Sequence, residues 1–292
     1  MDPLSTGSGS RRLPRSFDRI GSGARTLVGM RDGGHRQIRR LILWDVDGTL
    51  LSAGPTGRDA FFAAAGSVLA REVPDNGVQM SGKTDPLIAL EILERAGLGR
   101  AEARELLPDV LAALAEHVAE GSDRIAREGR VHPGVLDLLE RLHARADVVQ
   151  SVLTGNLAVN TRVKVSAFGL ERFLDLDVGA FGSDHQERDR LVPIAVERVR
   201  ERYGSTPGAT WVIGDTDRDL ACARAGGARC LLVATGRIPF DELHGIGADA
   251  VLPNLSYTDA VLDILFGEPG KAWAVAVVGN VAEEGEDEEA SL

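Results

Sequence analysis

Two carboxylates one residue apart close an apolar run in Trp44-Asp45-Val46-Asp47-Gly48-Thr49-Leu50. If that run is a buried strand, Asp45 and Asp47 fall at its carboxyl end, where open α/β sheets place their ligand sites. Converging carboxylates repel, so a cation is expected beside them, and oxygen-only ligands suit Mg²⁺. Taken alone, the pair could also be a chance capping of a strand end. A second acidic group, Gly214-Asp215-Thr216-Asp217-Arg218-Asp219, follows the apolar run Trp211–Ile213. Asp215 or Asp219 could complete the metal site, whereas Asp217 is better explained as a helix cap and Asp219 as a supporting acid with a partly structural role. A third group, Thr154-Gly155-Asn156, also ends an apolar run. Its hydroxyl, with backbone N–H groups at a helix start, would cradle an anion, although Thr and Gly-Asn make ordinary caps as well.

These residues need a framework that brings separate strand ends together. Leu41–Val46, Val148–Leu153, Leu174–Phe181, Thr210–Ile213 and Cys230–Ala234 have the character of buried strands, and Gly134–Arg145, Leu157–Phe168, Arg190–Tyr203 and Asp217–Ala225 carry apolar residues at helical spacing. Such alternation predicts a doubly wound, mostly parallel sheet. From Ser52 to about Arg130 the rhythm breaks into helical segments around Ala60–Ala70, Pro86–Ala96 and Ala101–Glu120, with Pro86 and Pro108 at expected helix starts. The expected organisation is therefore a disordered segment at 1–38, an α/β core from 39–51 and 131–267, an inserted all-helical cap at 52–130, and an extension with an acidic tail at 268–292.

Jointly, the three groups resemble the haloacid dehalogenase superfamily, near its phosphoglycolate-phosphatase-like branch. The resemblance rests on Asp45-Val46-Asp47-Gly48-Thr49-Leu50, Thr154-Gly155-Asn156 and Gly214-Asp215 with Asp219. Val131-His132-Pro133-Gly134-Val135 is similar to that family's return from the cap, and the likeness spans roughly residues 40–265. The resemblance implies a Rossmann-like core and a Mg²⁺-dependent phosphatase acting on a small phosphorylated metabolite. Asp45 would attack phosphorus to form an aspartyl-phosphate, and Asp47 would protonate the leaving oxygen and then activate water. Asp215 would bind Mg²⁺ with Asp45 and a backbone carbonyl of Asp47; Thr154, with Gly155 and Asn156, would hold the phosphoryl oxygens.

The family normally places a Lys shortly after its third strand, often three residues before a Pro. No Lys stands there. Arg190, three before Pro193, occupies the matching place, with Arg188 as the alternative; an arginine can hold phosphate oxygens bidentately. Lys164 is expected at the surface. In the cap, Ser81-Gly82-Lys83-Thr84-Asp85 is a polar turn before a helix. Lys83 and Arg58 are candidates for substrate specificity, although a turn with a cap at Thr84 or Asp85 explains the segment slightly better. His117, His132, His143, His185 and His244 lack metal-ligand spacing and are expected to pack or face solvent. Cys222 and Cys230 are expected as small core residues.

Lys83, Lys164 and Lys271 are the only lysines, against thirty arginines. The net charge is −11, with nine arginines against three aspartates in residues 1–40 and six acids in residues 283–289. That balance argues against sequence-independent binding to nucleic acid backbone. Two cysteines are too few for a disulfide framework, which favours a reduced cytoplasmic setting. No apolar run approaches the ~20 residues of a membrane span, and residues 272–278 (AWAVAVV) suit a docked strand. The Arg-rich start could alternatively be an organelle transit peptide. Among activities, Asp47 argues against a dehalogenase, since a halide leaves without a proton. A phosphosugar mutase and a catalytically silent binding protein of the same fold are the alternatives. A receiver domain, with ~120 residues and no cap, does not accommodate the helical insertion.

Overall fold

A computed structural model describes residues 37–267. The expectations for residues 1–36, for the 272–278 strand and for the acidic tail lie outside the described residues. Ile38, which composition assigns to the N-terminal segment, is buried in the core.

In chain order the elements are β1 (Arg40–Trp44), β2 (Leu51–Ser52), α1 (Thr56–Leu69), α2 (Asp85–Arg95), α3 (Arg100–Glu120), α4 (Ser122–Glu128) and β3 (Arg130–Val131). They continue with α5 (Val135–His143), β4 (Val148–Thr154), α6 (Ala158–Ser166), β5 (Ala180–Phe181), α7 (Leu191–Tyr203) and β6 (Ala209–Gly214). The described chain closes with α8 (Asp217–Ala225), β7 (Arg229–Val233), α9 (Phe240–His244), β8 (Ala250–Leu252) and α10 (Thr258–Phe266). Six strands form one parallel sheet in the order β5-β4-β1-β6-β7-β8. The chain runs outward from β1 to one edge and then, through β6, to the other. The carboxyl ends of β1, β4 and β6 therefore lie side by side, in register Trp44↔Val152 and Trp44↔Ile213.

The strands are apolar because both sheet faces are covered. Alternate residues of β1 divide between two cores: Ile42 and Trp44 pack on one face, Leu41 and Leu43 on the other. Trp44 Nε1 donates to Gln150 Oε1 at 3.3 Å, and the Gln150 amide donates to Leu139 O at 2.9 Å, so the buried polar atoms between β1, β4 and α5 are paired.

Helices α1 to α4 lie between β2 and β3, which pair antiparallel as Leu51↔Val131 and form a short neck to the sheet. Pro108 is inside α3, not at a helix start; Pro86 stands in the first turn of α2. The strand expected over Leu174–Phe181 shrinks to Ala180–Phe181. Asp175 accepts from the Asp177 N–H at 3.2 Å and starts a 3₁₀ turn over Leu176–Val178, a local bond that competes with strand pairing. Among the described residues no helix is long and apolar enough to cross a membrane.

Candidate active site

Asp45 follows β1, and its backbone N–H bonds Ile213 O at 2.8 Å, which ties the first acidic group to the strand carrying the second. Asp45, Asp215 and Asp219 are buried and present one carboxylate oxygen each, all within 4.8 Å of one another. Burial is the main cause that pushes the Asp45 carboxyl up to about 7; neighbouring acids add to it and Arg188 opposes it. Asp215 is pushed up to about 9 by burial, then by Asp45 and Asp219. Three buried acids share one guanidinium, Arg188, and leave negative charge that a cation could offset.

The members of the cluster are not equivalent. Asp219 Oδ2 accepts from the N–H of Asp215 at 3.2 Å, the N–H of Thr216 at 3.0 Å and the Thr216 hydroxyl at 2.6 Å, completing a capping box on α8. Its Oδ1 pairs with Arg188. Asp219 is thus committed to α8 and to a guanidinium; Asp217, expected as the helix cap, is the first residue of α8, and Thr216 is the cap. Asp45 and Asp215 are the two members of the cluster that could hold a metal. Asp215 receives a weak bond from the Thr49 hydroxyl at 3.4 Å, and Gly48, at φ +92°, passes so close that a Cβ there would lie 2.5 Å from Asp215 Oδ2.

The Asp47 carboxylate stands apart from this cluster; the metal contact expected of Asp47 is through its backbone carbonyl. Its Oδ2 accepts from Lys164 Nζ at 2.6 Å and from Asn156 Nδ2 at 2.8 Å. Lys164, expected at the surface, is 5% exposed and lines the same cavity. The sequence does contain a signal for this. Asn160, Thr161, Lys164 and Val165 form the buried side of α6, at the i, i+4 spacing of one helix face.

The guanidinium expected from Arg190 comes instead from Arg188. Arg188 is 8% exposed, and its Nη2 donates to Asp45 Oδ1 at 2.9 Å and to Asp219, while Nη1 donates to Gly82 O in the cap at 3.2 Å. Arg190 has a side chain 69% exposed and, among the described residues, an ion pair only with Glu187. Both belong to one 3₁₀ turn, Arg188–Arg190. At three residues per turn, positions two apart point to different sides, so one faces the acids and the other the solvent.

Thr154 is the last residue of β4, and Gly155 and Asn156 follow it. Asn156 donates from Nδ2 to the Thr154 hydroxyl at 2.7 Å, and its backbone N–H does so at 3.3 Å. The cap rests on this turn: Asp85 N–H donates to Gly155 O at 2.7 Å, and a Cβ on Gly155 would come within 2.1 Å of Lys83 O. Asp85, which sequence reasoning offered only as a helix cap, accepts from the Leu157 N–H at 2.8 Å and from Asn160 Nδ2 at 3.2 Å. Burial pushes its carboxyl up to about 6 against the opposing charge of Lys164. A cavity of about 330 Å³ lies between cap and core and is lined by Asp45, Asp47, Thr154, Lys164, Arg188 and Asp215. Lys83 and Arg58 line it from the cap side, where they pair with Glu91 and Asp75. His132, also at the cavity, is buried with its Nε2 unpartnered. Cys222 and Cys230 are buried free thiols, as expected.

The sequence model of the haloacid dehalogenase-like hydrolase family matches residues 42–224. A phosphoglycolate phosphatase of Aliivibrio fischeri is 24% identical over 229 residues, covering 77% of this chain and 97% of the relative. A phosphoglycolate phosphatase of Pseudomonas putida is 27% identical over 231 residues, covering 76% and 77%. Among solved structures, a protein from Clostridium acetobutylicum described as a predicted phosphatase superposes with a TM-score of 0.57 at 16% identity, covering 78% of this chain and 99% of its own. One from Haemophilus somnus, described as a predicted phosphoglycolate phosphatase, gives 0.55 at 18% identity, covering 80% and 100%. The structural likeness carries the fold.

Proposed function

The chain belongs to the haloacid dehalogenase-like hydrolase family, and from that premise we propose that it is a Mg²⁺-dependent phosphatase of small phosphomonoesters working through an aspartyl-phosphate on Asp45. The observation that carries the reading is the meeting of Asp45, Asp215 and Arg188 in a cavity that Asp47 and Thr154 also line. Relatives named as phosphatases cover most of this chain and agree with it.

Asp45 and Asp215 would hold the divalent ion, which when bound supplies positive charge to offset repulsion between phosphate and carboxylates. The donor set is oxygen only, and the raised carboxyls of both residues fit a site that a cation completes. A carboxylate oxygen of Asp45 attacks phosphorus, and the bond from phosphorus to the ester oxygen breaks. The Asp47 carboxyl gives its proton to that departing oxygen. In the second half, Asp47 takes a proton from water, the water oxygen bonds phosphorus, and the bond to Asp45 breaks to release inorganic phosphate. Arg188, bonded to Asp45, orients it and offers guanidinium N–H groups to the phosphoryl oxygens. Thr154, with Gly155 and Asn156, holds the remaining oxygens.

Turnover of p-nitrophenyl phosphate with Mg²⁺ tests the reading. Wild type is expected to turn over with the metal and stop when it is chelated. Asp45→Asn is expected to lose ~10³-fold or more, of the order seen when a catalytic nucleophile is removed. Equal rates for wild type and Asp45→Asn would end the proposal. A screen of small phosphorylated metabolites then identifies the substrate.

A further inference from the structure

Lys164 reaches the cavity from the second turn of α6, a helix that follows the Thr154 turn. Long helical side chains lean toward the N-terminus of their own helix. That tilt carries the Lys164 ammonium back to Asn156, eight residues earlier, where Nζ donates to Asn156 Oδ1 at 2.7 Å. The second bond, to Asp47 Oδ2 at 2.6 Å, is an ion pair in which the lysine side chain is 7% exposed and the aspartate 42% exposed. The charge of Asp85 in the cap acts on the same ammonium. A buried ammonium is costly unless partnered; this one is placed between the acid of the first motif, the phosphate-binding turn and the cap.

The consequence falls on Asp47. Its Oδ2 receives two donors, Lys164 Nζ and Asn156 Nδ2, and Asn156 is itself held by Thr154. Among the described residues no donor reaches Oδ1. One oxygen of the carboxyl is therefore anchored by core residues, and the other carries no donor on a side chain that lines the cavity and is 42% exposed. Resting on the function proposed above, we infer that Lys164 is a positioning residue for acid–base chemistry: by gripping Oδ2 it aims Oδ1 of Asp47 at the ester oxygen and, in the second half, at the attacking water. The proton carried on Oδ1 passes to the departing oxygen as its bond to phosphorus breaks, and Oδ1 recovers a proton from water as the new bond forms. The two buried cations divide the work. Arg188 serves the nucleophile and Lys164 serves the acid.

Leaving-group dependence separates this from a structural role. A leaving group that departs well as an anion needs no proton, whereas a basic one does, and kcat/KM reports the steps up to phosphoryl transfer to Asp45. The full chain with Mg²⁺ is assayed on aryl phosphates graded from p-nitrophenyl to p-methoxyphenyl, in wild type, Lys164→Met, Lys164→Arg and Asp47→Asn. Wild type is expected to depend weakly on leaving-group basicity and Asp47→Asn steeply. Lys164→Met is expected to follow Asp47→Asn, losing about 10²-fold on the most basic leaving group and far less on p-nitrophenyl phosphate. Lys164→Arg, which keeps a donor for Oδ2, is expected to recover part of the loss. A uniform loss across the series in Lys164→Met, or none, overturns the inference while Asp47→Asn remains steep. A flat dependence in Asp47→Asn itself would instead overturn Asp47 as the acid. Should Lys164→Met fail to fold, Lys164→Gln, a neutral donor of similar length, takes its place against the same criteria.

Discussion

At the scale of single residues, the site turns on which side chain of a pair faces inward. Arg188 and Arg190 are chemically identical and two apart, and only the 3₁₀ turn that holds them separates a guanidinium on Asp45 from one in solvent. Arg188→Ala is expected to lower phosphatase kcat/KM by ~10²-fold or more, as loss of a charge-stabilising donor does. Arg190→Ala is expected to stay within about twofold. Parallel steady-state kinetics on the two variants decide it, and a reversed order would move the phosphate contact back to Arg190. The acids were legible in sequence because each cluster ends an apolar run. The choice between the arginines was not, since it depends on a turn of one residue's phase. Lys164 was half legible: helical spacing puts it beside Asn160 and Thr161, but a lysine on a helix is normally a surface residue, and its partner Asp47 is 117 residues away in the chain.

At the scale of elements, strand order brings the acids together and the segment holding α1 to α4 lines the other side of their cavity. Parallel pairing of β1 with β4 and β6 could be inferred from alternating strands and helices; the Asp175 turn, the short β8 and the β2–β3 neck could not, being too brief to show a period. The cap meets the core through Asp85, a buried carboxyl held by the N-terminus of α6. Because its value in the folded protein, about 6, lies above the ordinary 3.8, the folded state favours the protonated form. Its contribution to stability is therefore fully present at low pH and lost as pH rises through about 6. Asp85→Asn keeps an acceptor for the Leu157 N–H without that charge. Relative to the variant, wild type is expected to lose about 1–2 kcal/mol between pH 5 and pH 7.5 by urea unfolding. A pH-independent difference would show that Asp85 is not buried against the core in solution. Gly48→Ala tests the first turn in the same spirit: a Cβ at φ +92° and 2.5 Å from Asp215 is expected to weaken Mg²⁺ binding measured by calorimetry, even if the fold survives. Unchanged affinity would show that the Gly48–Asp215 approach is dispensable.

At the scale of the whole molecule, charge is arranged locally against the overall balance. The chain carries −11 in total, yet its cavity brings Lys83, Lys164, Arg58 and Arg188 beside Asp45, Asp47 and Asp215, which would favour an anionic substrate once a cation is present. Mg²⁺ binding to the folded state alone should stabilise it, by about 2.7 kcal/mol at a hundred times Kd. Thermal unfolding of wild type is expected to shift upward with Mg²⁺, and that of Asp215→Asn much less; equal shifts would place the metal elsewhere. A covalent bond to Asp45 separates the proposed route from direct attack by water on the substrate. Asp47→Asn should still accept the phosphoryl group from p-nitrophenyl phosphate but release it slowly, for want of a base to activate water. Acid-quenched Asp47→Asn incubated with p-nitrophenyl phosphate and Mg²⁺ and then digested is expected, by mass spectrometry, to carry one phosphoryl group on the peptide containing Asp45. A phosphoryl group on any other residue, or turnover by wild type with no phosphorylated peptide in this variant, would contradict the account.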